Sequence, residues 1–393
     1  MRADGQLEKG SKRNPGLLVL RQSRWVRRRQ STLLTASYDG TAKLWCLRSG
    51  RCLRTFATKD PPRDEKDSVM HAVASPSGEL VLTASYDGMA TLWSASTGSK
   101  IQAFKGSEGG LYSAVFSPDL RYVLTASADG AACLWCCETG GVKWLLPGHG
   151  DSYMRSATFS PDASHIVTSS ADCSVRVWKL GPLEDSQPPV LERTLLGHKG
   201  WVNTSIFSPD GDLILTAAAD KTAKLWRAST GKCIGTFCGH FAYVRTAVFS
   251  PDLSCVLTAS ADWTAKLWNT STAECLRTFE GHSQWVNMAS FSHNLSRVAT
   301  CSRDNTARLW CASSGQCLRI FTGHGCFVLS TVFCRIARKT PSAEKRQVCA
   351  GDETAKPMKQ FGRRRPSKRE HAKQKQRNDN ARARSCVYRP CVT

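Results

Sequence analysis

Val256–Trp268 reads VLTASADWTAKLW, and the chain writes that stretch again and again. Leu33–Trp45 is LLTASYDGTAKLW, Val81–Trp93 is VLTASYDGMATLW, and Val123–Trp135 is VLTASADGAACLW. Val167–Trp178, Ile214–Trp226 and Ala299–Trp310 are further copies. The closing tryptophans (Trp45, Trp93, Trp135, Trp178, Trp226, Trp268, Trp310) lie 48, 42, 43, 48, 42 and 42 residues apart. A period of this size marks a repeat architecture, in which one supersecondary unit cannot bury its apolar faces alone. Each copy joins two short β-rich runs through a tight polar turn such as Ala-Asp-Gly, which reads as a hairpin. No long helical pattern breaks the period, so the fold class is all-β.

Around each copy stand two more strands. One ends in Phe-Ser-Pro-Asp (Phe116–Asp119, Phe159–Asp162, Phe207–Asp210, Phe249–Asp252). Proline there removes an N–H donor and fixes φ, which suits a turn. The other follows the tryptophan (Cys233–Phe237, Cys275–Phe279, Cys317–Phe321) and leads to Gly-His. Gly-His, Ser-Pro-Asp and Asp…Trp at fixed offsets closely resemble WD40 repeats, over about Leu17 to Phe333. The resemblance implies a seven-bladed WD40 β-propeller, one four-stranded blade per unit, with blades ending near Phe56, Phe104, Leu146, Leu195, Phe237, Phe279 and Phe321. Stacking the blades in a ring supplies the core that a single blade lacks.

The resemblance also implies a buried His, Ser, Asp and Trp network in each blade. Three blades hold the full set: His149, Ser170, Asp172 and Trp178; His240, Ser260, Asp262 and Trp268; His282, Ser302, Asp304 and Trp310. The fifth has His198, Asp220 and Trp226, with Ala218 in place of serine. Blades one to three keep Ser37, Ser85 and Ser127 but lack Gly-His, and are expected to be the less rigid half. A His–Ser–Asp set invites a hydrolase reading. Its recurrence in blade after blade argues for scaffolding instead, because buried indoles and hydroxyls need partners.

The formal charge of +22 is unevenly spread. Residues 1–30 carry nine Lys/Arg against two Asp/Glu, residues 335–393 carry eighteen against five, and the body between holds 27 against 25. The basicity therefore belongs to the ends. Residues 1–16 and 359–384 lack apolar periodicity and are expected to be disordered. After Phe333 the repeat decays, yet Val348–Met358 (VCAGDETAKPM) still echoes it. The division is then a tail over 1–16, a propeller over 17–334, and a degenerate eighth repeat with a basic tail over 335–393. Phe327–Phe333 is expected to pack on the seam of the ring, beside or instead of a weak first strand at Leu17–Val26. The insertions Lys59–Asp67 and Gly181–Pro189 read as surface loops, which the resemblance puts on the upper and lower rims.

Eighteen cysteines raise the question of a disulfide scaffold. Cys52, Cys233, Cys275 and Cys317 repeat at one position, as do Cys46, Cys136 and Cys311 after the tryptophan, so equivalent cysteines sit a blade apart. They read as small buried residues of a reduced compartment. Cys133 and Cys136 form a CxxC, but three residues apart on a strand they face opposite ways, which disfavours a shared metal. The amino terminus has no apolar segment of secretory type, and no run nears the ~20 residues of a membrane helix. A cytoplasmic or nuclear chain is expected, with no membrane contact.

No phosphate loop, metal cluster or nucleophile elbow stands outside the repeat frame, so no catalytic residue, cofactor or metal is expected. Binding positions are sought where residues exceed structural need. Tyr153, Trp201, Tyr243, Trp285 and Phe327 occupy one position ahead of the first strand, and Arg155, Asn203, Arg245 and Asn287 lie two further on. By the resemblance these strands begin at the upper opening of the central channel. Trp201 and Trp285 either line that opening or pack between blades, while Arg155 and Arg245 are expected to be exposed. Tyr38, Tyr86 and Arg303, each before a turn aspartate, join the rim. The expected role is a scaffold for protein or peptide partners. The alternative is a subunit of a nuclear or ribonucleoprotein assembly, whose basic run Arg363–Arg369 contacts nucleic acid without sequence preference.

Overall fold

The computed structural model describes residues 29–58, 65–105, 109–146, 148–181 and 187–337. Within them run seven four-stranded antiparallel sheets. The inner strands of neighbouring sheets touch in a closed cycle, from the first blade through the seventh and back. The fold is a seven-bladed β-propeller. Strands are named a to d from the channel outward.

Strand b explains the sequence. Val256–Ser260 is inaccessible from end to end, because a blade is covered on both faces by its neighbours and its central strands cannot alternate apolar with polar. The core therefore lies between blades. Leu215, Leu225 and Phe237 of blade five pack with Val244, Val256 and Trp268 of blade six. Ring contacts repeat the joint: Phe56–Trp93 at 6.0 Å, Phe104–Trp135 at 5.9 Å, Phe237–Trp268 at 6.0 Å and Phe279–Trp310 at 5.8 Å. Each buried indole removes on the order of 200 Å² from water, about 5 kcal/mol of transfer free energy. The Ser-Pro-Asp turn is braced by its own side chains. Ser250 Oγ donates to Asp252 Oδ1 (2.6 Å) and accepts the Cys255 N–H (2.9 Å).

Blade one closes the ring with both chain ends. Its strand a is Val328–Ala337, which pairs along the whole of strand b, Arg29–Ser37. Phe321 of blade seven meets Trp45 of blade one at 5.9 Å, so the seam is packed like any other joint. The carboxy-terminal segment thus stands in the inner place of this blade and runs to Ala337, three residues past the expected boundary. Leu17–Val26 lies outside the described residues. So do residues 1–16, the eighth-repeat echo, the basic run Arg363–Arg369 and most of the two insertions.

The cysteines correct one expectation. All fifteen described cysteines are free, and Cys52, Cys233 and Cys275 are exposed, not buried. They open strand d, the outer edge, where only the terminal phenylalanine turns under the next blade. The same edge carries an arginine staple. Arg54, Arg193 and Arg319 each donate to a carbonyl in the neighbouring blade, those of Thr97 (2.7 Å), Ala228 (2.6 Å) and Arg48 (3.1 Å).

Candidate functional site

Two constellations deserve separation: the polar chain inside each blade and the mouth of the channel. In blade six Trp268 Nε1 donates to Thr258 Oγ1 at 2.8 Å, and that hydroxyl lies 2.7 Å from His240 Nε2. His240 Nδ1 meets Asp262 Oδ2 at 2.7 Å. With Nδ1–H given to the carboxylate, Nε2 accepts the threonine proton and the threonine oxygen accepts the indole N–H. Each polar group of the chain is thereby partnered, the threonine hydroxyl also lying 3.3 Å from Lys266 O. The same chain runs through Thr168, Thr216 and Thr300 with His149, His198 and His282.

The hub is threonine, two residues before the expected serine. Ser170, Ser260 and Ser302 instead accept the N–H of Asp172, Asp262 and Asp304 and so cap the turn. That is why Ala218 leaves blade five intact, with His198–Asp220 at 2.7 Å. Blade one also has its histidine, contrary to expectation: His324, from the far end of the chain, bonds Thr35 at 2.8 Å and Asp39 at 2.9 Å. The signal was present in the invariant Thr of the LTAS frame, but spacing alone does not say which hydroxyl faces inward. The turn serines Ser170, Ser260 and Ser302 bond the backbone of the turn, and Ser174, whose Oγ lies 3.0 Å from His149 Nδ1, donates to Asp172 Oδ1 at 2.8 Å and braces the same turn, so these contacts are those of a scaffold.

Burial alone would raise the carboxyls of Asp39, Asp220, Asp262 and Asp304. The histidine contacts, with threonine and backbone donors, outweigh it and hold each well below the usual carboxylate range. Burial pushes His149 the other way, toward its neutral form, against the pull of Asp172.

The channel mouth is built on a repeated irregularity. In strand a of every blade the second residue is skipped by the ladder, a β-bulge that falls on Met70, Tyr112, Arg155, Asn203, Arg245, Asn287 and Leu329. Bulges re-aim a side chain and are common beside functional sites. Ahead of the bulge Tyr153, Trp201 and Tyr243 are 50%, 54% and 50% exposed. Trp285 is part-buried under Arg303, whose guanidinium lies 3.9 Å from the ring centre and 5.4 Å from that of Phe327. Tyr38 touches Phe327 at 6.0 Å, and Tyr86, Tyr112 and Tyr153 form a ladder at 6.1 and 6.5 Å.

Of the expected rim residues, Asn203 and Asn287 are buried, not presented. Their amides donate to Val244 O and Val328 O of the following blade, each at 2.8 Å. A short side chain at the bulge reaches the neighbouring backbone before it reaches solvent. Arg155 and Arg245 are half-buried, not fully exposed. Arg155 lies over Tyr112 at 4.5 Å and donates to Asn203 Oδ1 at 3.4 Å. Burial first, then the charges of Arg155 and Arg303, push Arg245 down to about 9.

Sequence reasoning missed Tyr112, Phe241 and Trp263. Phe241 is 84% exposed and Trp263 49% exposed. Trp263 holds φ +73° at the turn position where blades one to three have Gly40, Gly88 and Gly130. A tryptophan in a glycine place was legible by aligning the copies. The lower mouth is different in kind, a recess of about 440 Å³ lined by Phe116, Phe159, Phe207, Phe249 and the turn prolines. Among the described residues no helix is long and apolar enough to cross a membrane.

A family profile described as WD40 (WD domain, G-beta repeat) matches residues 50–94, 98–136, 140–179, 189–227, 231–269 and 273–311. No curated protein sequence matches the chain. Each matched unit begins with strand d of one blade and continues through strands a to c of the next, so repeat and blade are out of phase. The seventh unit is divided between the chain ends, Cys317–Ala337 and Arg29–Cys46, which reconciles six matches with seven blades. The chain belongs to the WD40 repeat family.

Proposed function

We propose that this propeller is a non-catalytic scaffold that binds protein partners across the upper mouth of its channel. WD40 propellers are typically interaction scaffolds, and the observation that carries the reading here is Trp263. An L-residue at φ +73° costs about 1 kcal/mol relative to glycine, and this one places a half-exposed indole on the same face as Tyr153, Trp201 and Tyr243. Exposed aromatics beside arginines have the composition of interface hot spots. The test is affinity capture with the full chain and with a Tyr153→Ala/Trp201→Ala/Tyr243→Ala variant. Loss of captured partners, at unchanged melting temperature, supports the rim; an unchanged partner set sinks it.

The charge partition favours a second reading. A carboxy-terminal segment carrying eighteen basic against five acidic residues, beside a nearly neutral body, suits a nuclear or ribonucleoprotein assembly in which that segment contacts nucleic acid. Binding of this kind falls steeply with salt. Retention on RNA that survives the rim substitutions but disappears when residues 338–393 are removed supports it. A cytoplasmic site of action, extended to the nucleus if the basic segment acts, accompanies the two readings.

A further inference from the structure

We infer that the joint between blades seven and one, on the lower face, is a site for a phosphate monoester with an apolar body. The phosphoryl group sits among His293, Asn294, Arg297 and Arg335, and the body covers Leu47, Leu53 and Leu318. A cleft of about 250 Å³ is lined by these four polar residues together with Ser31 and Leu47. It shares Ser31, Leu47 and Arg297 with a recess of about 990 Å³, which adds Arg48, Arg319, Leu53, Leu309 and Leu318. No carboxylate lines either one. The ion pairs among the described residues all involve other side chains. The site is separate from the rim and does not depend on it.

These cations stand where the repeat has none. Blades two to six turn from strand a to strand b through Ser-Pro, at Pro76, Pro118, Pro161, Pro209 and Pro251, and in four of them aspartate follows. Blade seven has His293 and Asn294 there, and blade one has Arg335 and Ile336. Strand b opens on Leu80 in blade two and Leu213 in blade five, each packed against the core. In blade seven it opens on Arg297, which is exposed. The exchange of acid for amide also reverses the face of the turn. Asp252 Oδ1 accepts Ser250 Oγ, Ser254 N and Ser254 Oγ at 2.6, 3.2 and 2.9 Å. Asn294 Oδ1 accepts the same three donors, from Ser292 and Ser296, at 2.9, 3.4 and 2.9 Å. With its oxygen so engaged, Asn294 turns an NH2 outward where the other turns have a carboxylate oxygen.

Partial burial and the charge of Arg335 hold His293 below the ordinary histidine value, so like charges crowd this cleft without a counter-charge. A phosphate monoester is largely dianionic at neutral pH and offers three acceptor oxygens to forked guanidinium donors and an amide. A carboxylate brings one charge and two oxygens. The adjoining floor is apolar and open to contact, with Leu53 and Leu318 44% and 46% exposed. Covering them rewards a ligand that carries an apolar body beside its anion. A nucleic-acid backbone has one charge per phosphate and no such body, and matches the cleft less well.

The experiment titrates the full chain, at constant ionic strength, with phenyl phosphate, inorganic phosphate and benzoate. Phenyl phosphate should bind about tenfold more tightly than either of the others. Arg297→Leu and Asn294→Asp each install the residue that other blades carry, so both should fold normally. Each should weaken phenyl phosphate about tenfold, the worth of one charge-assisted hydrogen bond, with partner capture at the rim unchanged. Undiminished binding in both variants assigns the phosphate to the basic chain ends and overturns the inference. Benzoate held as tightly as phenyl phosphate overturns the phosphoryl chemistry, and inorganic phosphate held as tightly overturns the apolar half of the site. Absence of binding by all three probes overturns the whole. Phosphatidylcholine vesicles carrying phosphatidic acid then distinguish the source. Co-sedimentation that Asn294→Asp abolishes supports a lipid monoester, whereas binding of phenyl phosphate without co-sedimentation supports a soluble one. Should either variant fail to fold, Arg335→Gln near the exposed end of its strand gives the same reading.

Discussion

Blades two and three differ from the other five in one respect. Both keep the indole bond, Trp93 to Thr83 at 2.9 Å and Trp135 to Thr125 at 3.0 Å. Neither has the histidine that, elsewhere, ties the leading loop to the turn between strands b and c. The comparison separates two jobs that spacing alone merges. The threonine serves the buried indole in every blade. The histidine serves the turn, holding its aspartate from behind. A matching difference lies in the turns themselves. Blades one to three have glycine at the positive-φ position, whereas blades four to seven have Cys173, Lys221, Trp263 and Asn305 at φ 69°, 70°, 73° and 67°. All four blades with a strained turn also have the histidine chain.

The largest way to break this pattern is at the seam, where blade one borrows both its inner strand and its histidine from the far end. Removing residues 323–393 deletes His324 and the whole of strand a, leaving Arg29–Ser37 as a bare apolar inner edge. The expected outcome is loss of the cooperative thermal transition and aggregation through the open edge. Removing only residues 338–393 should leave the melting temperature unchanged. A full transition at the original temperature in the first truncation would refute the closure.

A smaller effect sharpens the division of labour. Thr258→Val strands two buried groups, the indole N–H of Trp268 and the Nε2 of His240, and should cost about 2–4 kcal/mol. Thr83→Val in blade two strands one, and should cost about 1–2 kcal/mol. Equal losses in denaturant titrations would mean that the histidine adds nothing to the hub. Native-state hydrogen exchange should follow the same split, with strand b amides of blades two and three opening before those of blades five to seven.

Acid separates the two groups further. Burial holds His149 and His71 below the ordinary histidine value. Below about pH 6.5 the unfolded chain therefore binds protons that the folded chain refuses. Their contribution is complete above that pH and declines as pH falls. The aspartates held by histidine are depressed as well, so their contribution is complete above about pH 4 and is lost below it. Stability should fall shallowly from pH 7 to 5 and steeply below pH 4. His240→Gln should flatten the second stage by freeing Asp262. A single steep loss near pH 6 would contradict this assignment.

Much of this architecture was legible in the chain. The tryptophan period gave the blades, and Phe327–Phe333 pointed to the seam because it restarts a unit that Leu17–Val26 only weakly begins. What escaped was direction and depth. Period and motif say that His, Ser, Asp and Trp meet, but which hydroxyl turns inward depends on strand parity, and Thr258 was passed over for Ser260. At the mouth, a bulge decides whether a side chain reaches solvent. Arg155 and Asn203 occupy equivalent positions, yet the short amide folds back onto Val244 while the long guanidinium extends over Tyr112. Cys52 and Cys275 looked buried because strand d is apolar in composition, although only its last residue enters the core.

The smallest expected effect bears on why the strained turns exist. Trp263→Gly removes an L-residue from φ +73°, and should stabilise the protein by up to about 1 kcal/mol, seen as a rise of a degree or two in melting temperature. The indole is half exposed and contributes little to the core, so nothing comparable is lost on the other side. If stability alone governed this position, glycine would be the better residue, as it is in blades one to three. The substitution should therefore improve folding while weakening partner capture at the rim. A destabilised Trp263→Gly protein would mean that the indole is a packing element. An equally stable or more stable protein with reduced capture would mean that the histidine chain behind the turn supports a residue kept for binding.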